Sequence, residues 1–297
     1  MFEGLTVAMV TPFKGGAIDQ DATRHLIEFL IDGGVEALVV SGSTGEAATC
    51  AVEERRALWT LTRDQVRKRI PVIAGTGTNS TADSIALTRM AEEIGLDGAM
   101  LVTPYYNKPT PKGQIAHFKA VAASTRLPIV LYNVPSRTAT NTLPETFERV
   151  ADVPNIVAVK EASGNLEQAS ALCARTRLTV LSGDDSLTVP MMAVGAKGVI
   201  SVAGNVAPRE MRALTDHARA GRFADAEAMH KRLLPLFKAL FIESNPGPAK
   251  YLLSAMKLIR NELRLPLVPV EPHTEQAILA AARAVGIPLE AVAPARA

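Results

Sequence analysis

Short apolar runs alternate with longer amphipathic segments through roughly the first 220 residues of the chain. The runs are rich in β-branched residues, which is typical of buried strands, and the intervening segments place apolar residues at helical spacing. Such regular alternation indicates a parallel sheet built from βαβ units. The predicted strands span residues 5–10, 37–41, 71–74, 98–102, 128–132, 156–160, 179–182 and 198–201.

Eight strands alternating with eight helices predict an α/β fold, a TIM (β/α)8 barrel, and the even spacing favours it over an open, doubly wound sheet. The active site of such a barrel lies at the carboxyl ends of its strands. The polar residues just after each strand are therefore the main candidates for the active site. Ser80 is a suitable N-cap for the third helix. The predicted helices span residues 19–32, 52–66, 81–94, 111–123, 143–150, 166–174, 186–194 and 208–220.

Three further helices are predicted beyond the barrel, at residues 223–242, 249–263 and 274–285. The link at 264–272 is rich in proline and is expected to be extended. No second hydrophobic core accompanies these helices. We therefore expect a barrel at residues 1–222, which carries the active site, and a C-terminal three-helix extension at residues 223–297, which packs on the barrel.

Composition and charge exclude several classes of protein. The chain has 297 residues and a formal net charge of +2, without a long basic run, so nothing favours binding to nucleic acid. Its two cysteines, Cys50 and Cys173, are too few for the disulfide framework of a secreted protein. No signal peptide is recognisable, and no apolar run approaches the roughly 20 residues that span a membrane. We expect a cytoplasmic protein that contacts neither nucleic acid nor membrane.

The sixth predicted strand ends in a lysine. Because side chains alternate between the faces of a strand, Ile156, Ala158 and Lys160 are predicted to share one face, and Val157 and Val159 the other. An inward-facing amine loses hydration, which disfavours its charged form and lowers its pKa. Lys160 is therefore a candidate nucleophile toward a carbonyl substrate, although a lone lysine after a strand is more often solvated.

The end of the fifth predicted strand suits the same chemistry. Tyr132 is expected to point inward beside Lys160, where a phenol can exchange protons with an amine. Arg137 lies in the following loop and can bind a substrate carboxylate through two hydrogen bonds. Without a lysine nearby, these residues would be an ordinary core tyrosine and surface arginine.

Two further loops follow strands. The turn at residues 42–46 reads Gly-Ser-Thr-Gly-Glu, and its backbone N–H groups can hold a carboxylate. Its hydroxyls, on Ser43 and Thr44, can donate to that anion or relay a proton, although a plain turn with a helix cap explains these residues equally well. After the fourth strand, Tyr105 and Tyr106 lie on a loop flanked by prolines, and one of them is expected to pack or to lie at an interface.

Other chemistries find less support. The Gly-Thr-Gly run at residues 75–77 lacks the third glycine of a dinucleotide-binding motif. Asp184 and Asp185 suit a helix N-terminus as well as a metal ion, and the five histidines show no ligand spacing, so no metal is assigned. No Gly-x-Ser-x-Gly motif supports a serine nucleophile. Schiff-base chemistry on a 2-oxo acid remains, and it requires neither a metal nor a cofactor.

Five motifs lie in order along the barrel. They are Gly-Ser-Thr-Gly-Glu at 42–46, Val-Thr-Pro-Tyr-Tyr-Asn at 102–107, Tyr-Asn-Val-Pro-Ser-Arg-Thr at 132–138, Val-Lys-Glu-Ala-Ser-Gly-Asn at 159–165 and Leu-Ser-Gly-Asp-Asp at 181–185. With them, the chain resembles the 4-hydroxy-tetrahydrodipicolinate synthase (dihydrodipicolinate synthase) family of the pyruvate-dependent class I aldolase superfamily. The resemblance runs through essentially the whole barrel and into the C-terminal helices.

The resemblance implies a lyase without a cofactor that condenses pyruvate with L-aspartate 4-semialdehyde, the committed step of diaminopimelate and lysine biosynthesis. Lys160 matches the Schiff-base lysine of the family, and Tyr132 matches its proton donor and acceptor. Tyr106 matches a second relay tyrosine, which the family lends to the active site of a neighbouring subunit. A homotetramer, built as a dimer of dimers, is therefore implied.

Other matched positions concern substrate binding. Thr44 and Ile200 match positions that contact pyruvate, Gly183 lines the same pocket, and Arg137 matches the arginine that receives the carboxylate of aspartate semialdehyde. Ser43 stands at the first relay position, where the family usually has threonine. Serine keeps the hydroxyl but lacks the β-branch that restricts χ1, so we expect activity to be retained.

Some members of the family are inhibited by lysine at the tight dimer interface. The resemblance implies a candidate effector site at Ala47, Ala48, Asn79, Asp83 and Tyr105. At two neighbouring positions, where sensitive members often carry histidine, this chain has Val52 and Arg55. Because a guanidinium repels a cationic effector, we expect weak or absent inhibition by lysine.

Two alternative functions stay open. Another aldolase of the superfamily, similar to N-acetylneuraminate lyase or acting on other 2-oxo acids, would share Lys160 and Tyr132, but the loop carrying Arg137 suits aspartate semialdehyde better than a polyol. A barrel that binds 2-oxo acids without turnover is the other alternative. The complete set of Lys160, Tyr132 and Tyr106 argues against it.

Overall fold

The computed structural model describes residues 2–289, and in it eight parallel strands close into a barrel. The first strand closes the barrel by pairing on both sides, since Leu5 is the register partner of Val199 and Val7 is the partner of Leu38. The predicted TIM barrel is therefore confirmed. The barrel strands are β1 (Gly4–Ala8), β4 (Ala37–Val40), β5 (Val72–Gly75), β6 (Gly98–Val102), β7 (Ile129–Asn133), β8 (Ile156–Glu161), β9 (Thr179–Ser182) and β10 (Gly198–Ser201).

Helices cover the outside of the barrel and extend beyond it. The helices of the barrel region are α1 (Gln20–Asp32), α2 (Val52–Val66), α3 (Thr81–Ile94), α4 (Pro111–Ala122), α5 (Pro135–Thr138), α6 (Pro144–Ala151), α7 (Leu166–Arg175), α8 (Thr188–Ala193) and α9 (Pro208–Arg219). As expected, Ser80 caps α3, because its side chain accepts a hydrogen bond from the Asp83 N–H. The C-terminal helices are α10 (Phe223–Ala239), α11 (Gly247–Ala255) and α12 (Pro272–Val285).

The sequence pattern did not predict the hairpin formed by β2 (Phe13–Lys14) and β3 (Ala17–Ile18). Strands of two residues are too short to show an alternation of polar and apolar positions. The second C-terminal helix is also shorter than predicted, because α11 ends at Ala255 rather than at residue 263. Lys257 has a φ of +59°, a left-handed conformation that cannot continue a helix.

The C-terminal helices share hydrophobic packing with the barrel. Leu236, Leu252 and Ile278 are fully buried in the same cluster as Leu26 and Met211 of the barrel helices. Burial of apolar side chains on this scale is the main favourable contribution to packing one layer on another. Nothing further in residues 2–289 defines a domain boundary, so the division at residues 222 and 223 stays a prediction, and residues 290–297 of the predicted extension lie outside the described residues.

The pairing of β7 with β8 is irregular near its start. Ile129 pairs with Ile156, but Val130 pairs with Ala158, so the register shifts by one residue at Val157. Ile156 consequently packs in the cluster outside the sheet, whereas Ala158 packs in the barrel interior. The prediction that Ile156 shares a face with Ala158 and Lys160 was therefore wrong.

Candidate active site

Lys160 lies near the carboxyl end of β8 and is 4% exposed. Burial lowers the pKa of its amine to about 8, because the charged form loses hydration. The negative charges of Asp184 and Asp185 oppose this effect, and the positive charge of Arg137 adds to it. The amine is therefore more often neutral near pH 7 than an exposed lysine would be.

Tyr132 is the register partner of Lys160 on the neighbouring strand β7. The Lys160 Nζ lies over the Tyr132 ring, 4.3 Å from its centroid. Burial raises the pKa of the Tyr132 phenol to about 12, and the Arg137 charge and a hydrogen bond with Ser43 partly oppose that rise. The phenol therefore keeps its proton at neutral pH and can donate it.

The turn that carries Ser43 and Thr44 is held at several points. Gly42 O accepts hydrogen bonds from the N–H groups of Gly45 and Ala47, which close the turn. The Thr44 hydroxyl accepts a hydrogen bond of 2.9 Å from the Asn245 side chain. Ser43 is the exposed hydroxyl of the turn and lines the cavity at the barrel mouth. The Ser43 hydroxyl thus faces the cavity, whereas the buried Thr44 hydroxyl is held by Asn245.

Glu46 closes this turn with a buried ion pair. Its backbone is left-handed, with a φ of +52°, and its carboxylate contacts the Lys250 Nζ of α11 at 2.6 Å. The other carboxylate oxygen accepts a hydrogen bond of 3.0 Å from the Arg264 N–H. Lys250 Nζ also lies over the Phe13 ring, 4.3 Å from its centroid. Lys250 and Arg264 of the C-terminal extension therefore hold the turn in place through Glu46.

A cavity of about 380 Å³ opens at the mouth of the barrel. Ser43, Tyr132 and Arg137 line it, while Lys160 contacts the Tyr132 ring and does not line the cavity itself. The cavity also extends over Asn245 in the segment between α10 and α11. Three of the residues expected at the active site therefore share one small space, adjacent to the lysine.

Arg137 lies on the short helix α5, directly after β7. One of its guanidinium nitrogens donates a hydrogen bond of 3.1 Å to the Asn245 carbonyl oxygen. This contact holds the arginine at the cavity, where a guanidinium can bind a substrate carboxylate.

Gly183 and Ile200 lie at the ends of β9 and β10. A Cβ atom at Gly183 would lie 2.4 Å from the Ala162 Cβ, so no side chain fits there without movement. The Gly183 N–H donates a 2.7 Å hydrogen bond to the Glu161 carbonyl, which joins two strand ends. Ile200 is fully buried in the barrel-interior cluster that also contains Tyr132. Gly183 therefore lies beside the end of the lysine strand, whereas Ile200 lies in the barrel interior, one strand further round on β10.

The two aspartates after β9 have different environments. Asp185 is buried, and its carboxylate accepts hydrogen bonds from the Ser201 hydroxyl at 2.5 Å and the Ala203 N–H at 2.8 Å. It therefore fixes the loop after β10 instead of capping the N-terminus of α8, which begins at Thr188. Asp184 is mostly buried, which raises its pKa, while the nearby Lys160 charge lowers it.

The adjacent tyrosines point to different surroundings. Tyr105 lines the cavity, whereas Tyr106 is 88% exposed and has a φ of +71°. Within one chain, Tyr106 is thus not brought to Tyr132 and Lys160. An exposed phenol on a stiff loop is available to a neighbouring molecule.

Three of the five candidate effector residues line the same cavity. Ala47, Ala48 and Tyr105 line it together with Arg55. Asn79 lies further out, where its carbonyl accepts a 2.8 Å hydrogen bond from Asn107. The remaining member, Asp83, is exposed on the first turn of α3, and the neighbouring position Val52 is exposed on the first turn of α2.

Arg55 is half-buried without a carboxylate partner among residues 2–289. It donates a short hydrogen bond to the Ala47 carbonyl oxygen, and its Nε has no hydrogen-bond partner within that range. Burial lowers the pKa of the guanidinium. The positive charge therefore lies at the cavity that the candidate effector residues Ala47, Ala48 and Tyr105 line.

The sequence interpretation missed Asn245, Lys250 and Glu161. Glu161 is buried next to Lys160, and its carboxylate accepts hydrogen bonds from the Asn133 side chain at 3.1 Å and the Ser163 N–H at 2.8 Å. Its contacts fix the chain that follows the lysine. For Asn245, the run Asn-Pro-Gly-Pro at 245–248 was an available signal, because it interrupts two helical segments.

Within residues 2–289, no group of three or more histidine, cysteine, aspartate or glutamate side chains could hold a metal ion. In the same part of the chain, every helix is too short or too polar to cross a membrane. The fold and the site together have the features of a (β/α)8 barrel of the class I aldolase type, with a buried lysine whose lowered pKa suits it to act as a nucleophile.

Comparison with known proteins identifies the family within this class. The chain belongs to the dihydrodipicolinate synthetase family, whose model matches residues 1–285. It is 49% identical over 290 residues to the 4-hydroxy-tetrahydrodipicolinate synthase of Geotalea uraniireducens, covering 97% of this chain and 100% of that one. The family resemblance seen in the motifs is thus confirmed.

Solved structures agree with this relationship. The crystal structure of dihydrodipicolinate synthase from Aquifex aeolicus has a TM-score of 0.96 and 45% identity, and the match covers 98% of this chain and 100% of that one. The dihydrodipicolinate synthase of Acinetobacter baumannii, solved in complex with pyruvate, has a TM-score of 0.95 and 40% identity, with 97% and 100% covered.

Proposed function

We propose that this protein condenses pyruvate with L-aspartate 4-semialdehyde to give 4-hydroxy-tetrahydrodipicolinate, the committed step of diaminopimelate and lysine biosynthesis. The observation that carries the proposal is the buried Lys160 amine, stacked on Tyr132 in a member of this enzyme family. Arg137 at the rim of the same cavity supports an acceptor that bears a carboxylate.

The first steps use the nucleophilicity of the lysine. The neutral Lys160 amine attacks C2 of pyruvate, and the carbinolamine loses its hydroxyl as water to form a protonated Schiff base. A pKa of about 8 leaves roughly a tenth of the amine neutral at pH 7. The pyruvate carboxylate binds to the turn at residues 42–46 through the N–H groups of Ser43 and Thr44 and the Thr44 hydroxyl, because the N–H groups of Gly45 and Glu46 already donate within the turn. Gly183 and Ile200 close the pocket.

Proton transfer to the departing hydroxyl falls to Tyr132. With a pKa of about 12, the phenol is protonated at neutral pH and can act as a general acid. Ser43, its hydrogen-bond partner, passes protons between Tyr132 and the cavity. After donating, the phenolate is a strong base, which suits it to accept a proton in a later step.

The Schiff base then makes the new carbon–carbon bond. Its positive charge acidifies the methyl group of pyruvate, and loss of one proton from C3 gives an enamine. The enamine carbon attacks the aldehyde carbon of the second substrate, and the new alkoxide takes up a proton. The amino group of that substrate next attacks the imine carbon and displaces Lys160, so the ring closes and one water is released overall.

Mass-spectrometric product detection tests this proposal. Pyruvate is supplied with L-aspartate 4-semialdehyde, N-acetylmannosamine or glyoxylate, and Lys160→Ala is the control. We expect a heterocyclic product with aspartate semialdehyde alone, and none with the control. Preference for another aldehyde would reassign the reaction within the superfamily. Borohydride trapping of pyruvate on Lys160 without any aldol product would instead indicate a binding protein.

Tyr106 extends the proposal to the assembly. Its exposure supports a homotetramer, built as a dimer of dimers, in which Tyr106 relays protons in the active site of a neighbouring subunit. Mixed assemblies of Lys160→Ala and Tyr106→Phe subunits test this, because each variant alone lacks one necessary group. We expect activity to reappear after mixing and subunit exchange, and its absence in exchanged assemblies would refute the shared site. We also propose a cytoplasmic location, which the two free cysteines support.

A further inference from the structure

Asn245 connects two parts of the proposed substrate site. Its side-chain nitrogen donates a 2.9 Å hydrogen bond to the Thr44 hydroxyl, and its carbonyl oxygen accepts one of 3.1 Å from Arg137. The residue is 5% exposed and lies about two hundred residues from Thr44 in the sequence. Because it is held at both its backbone and its side chain, Asn245 has a fixed position at the cavity.

The other end of the Asn245 amide points to a ligand. Asn245 lines the cavity, yet its Oδ1 is buried and has no hydrogen-bond partner among residues 2–289. A buried acceptor without a donor is unfavourable, so nearly all such groups in folded proteins are paired. The natural partner of this oxygen is therefore a hydrogen-bond donor that enters the cavity.

The second substrate of the proposed reaction carries such a donor. Aspartate semialdehyde is an α-amino acid, whose carboxylate and ammonium are attached to the same carbon. Arg137 supplies cationic donors for the carboxylate, and Asn245, whose backbone carbonyl contacts Arg137, supplies a side-chain acceptor in the same cavity. A neutral amide also suits this position, because an aspartate would pair with Arg137 and compete with the substrate carboxylate.

We infer that Asn245 Oδ1 accepts a hydrogen bond from the ammonium group of the acceptor substrate, so that Asn245 and Arg137 together recognise its α-amino acid end. The inference rests on the proposed function and adds a residue that selects the acceptor. It makes Asn245 a determinant of specificity contributed by the C-terminal extension. The enzyme should therefore favour aspartate semialdehyde over an aldehyde that has the carboxylate but lacks the amino group.

Succinate semialdehyde is that des-amino analogue. It has no amino group to displace Lys160, so water must release its aldol adduct from the enzyme. The test is kcat/KM for both acceptors at saturating pyruvate, with each product detected by mass spectrometry. In Asn245→Ala, we expect kcat/KM for aspartate semialdehyde to fall at least tenfold more than kcat/KM for the analogue. Any effect of the substitution that is transmitted through Thr44 or Arg137 changes kcat/KM for both acceptors by the same factor, so it cancels in the ratio of the two kcat/KM values. Equal losses for the two acceptors would overturn the inference, because Asn245 would then only position its neighbours.

Matched variants make the result specific. Asn261→Ala removes another asparagine whose Oδ1 lacks a partner among residues 2–289, in the same C-terminal region but away from the cavity. It should leave the acceptor ratio unchanged, and a changed ratio would count against the inference. Asn245→Ser also withdraws the amide oxygen, so it provides the same test if the alanine variant fails to fold. If the unaltered protein does not turn over aspartate semialdehyde, the proposed function itself fails.

Discussion

Lys160 Nζ lies 4.3 Å from the centroid of the Tyr132 ring, and the two residues are direct partners across β7 and β8. The face of an aromatic ring favours a cation, as do the carboxylates of Asp184 and Asp185, whereas burial disfavours it. Burial has the largest effect on the pKa of Lys160, which falls to about 8. The strand pairing therefore places the Lys160 amine against the phenol, and burial sets how readily the amine loses its proton.

The rate of Schiff-base formation should follow this pKa. Because only the neutral amine attacks pyruvate, the initial rate of borohydride-trapped adduct should rise with pH through about 8 and then level off. Asp184→Asn removes a negative charge that stabilises the ammonium, so it should lower the pKa of Lys160 and move the rise to lower pH. Adduct measured by mass spectrometry between pH 6 and 10 tests this.

Glu53→Gln is the control for that experiment, because Glu53 is an exposed carboxylate on α2. It should leave the pH profile of adduct formation unchanged. A rise that moves to higher pH in Asp184→Asn would contradict the electrostatic argument.

Burying the nucleophile should also reduce stability. The pKa of Lys160 falls from 10.5 to about 8 on folding, so the unfolded chain binds the proton more tightly. Below pH 8 the penalty is fully present, and between 8 and 10.5 it disappears. Lys160→Met should therefore raise the free energy of unfolding at pH 7 by about 3 kcal/mol.

Urea denaturation at pH 7 and at pH 10.5 measures this difference, with activity lost in the variant at both. The gain in stability should be large at pH 7 and nearly absent at pH 10.5. An equal gain at both would mean that packing, rather than charge burial, causes it.

The sequence predicted those parts of the site that depend on local periodicity and on the rule that active sites of barrels lie at the carboxyl ends of the strands. Lys160, Tyr132 and Ser43 end strands or follow them, and the carboxyl ends of barrel strands meet. Asn245 and Lys250 could not be predicted in this way, because they reach the turn across 201 and 204 residues of sequence. Contacts of that kind depend on how the extension packs, which leaves no periodic signal.

The β8 register is a second example of this limit. Alternation alone predicts the direction of Ile156, but the irregularity at Val157 depends on how β8 pairs with β7. Lys160 keeps its predicted direction because it lies on the regular side of that irregularity. The predicted side-chain direction was therefore correct for Lys160 near the end of β8 and wrong for Ile156 at its start.

Serine at the relay position should be sufficient for activity. Ser43→Thr keeps the hydroxyl that hydrogen-bonds Tyr132 and adds only a methyl group, so kcat should change by less than about threefold. Ser43→Ala removes the hydroxyl and should lower kcat about tenfold or more, because the proton path is broken. Steady-state kinetics with both substrates provides the measurement. A large change of kcat in Ser43→Thr, in either direction, would contradict the prediction that serine is sufficient at this position.

The ion pair of Glu46 and Lys250 should be important for stability. Both groups are buried, so Glu46→Gln leaves an ammonium without its counter-ion and should cost about 3–5 kcal/mol of unfolding free energy. The double variant Glu46→Gln/Lys250→Met removes both charges and should recover much of that loss. Urea denaturation measures each variant, and KM for pyruvate reports on the turn.

An exposed pair of similar length supplies the comparison. Glu227 and Lys231 form an ion pair on α10 with both side chains largely in solvent. Glu227→Gln should change the free energy of unfolding far less than Glu46→Gln does, because water screens exposed pairs. If it costs as much as Glu46→Gln, burial is not what makes the internal pair important.

Inhibition by lysine should be weak in this protein. Arg55 lines the side of the cavity where the candidate effector residues Ala47, Ala48 and Tyr105 lie. Its guanidinium would stand near the cationic side chain or ammonium of lysine, and like charges a few ångströms apart repel each other. Initial rates in millimolar L-lysine should therefore stay close to the rate without it.

Removing the charge at position 55 should make the protein more sensitive. In Arg55→Gln, relief of roughly 1.4 kcal/mol of repulsion would strengthen lysine binding about tenfold. Arg56→Gln is the matched control, because Arg56 is exposed and interacts with Glu93 at 3.6 Å. It should leave the response to lysine unchanged. Strong inhibition of the unaltered protein at modest lysine concentrations would refute the electrostatic argument, since Arg55 would then be compatible with a bound cation.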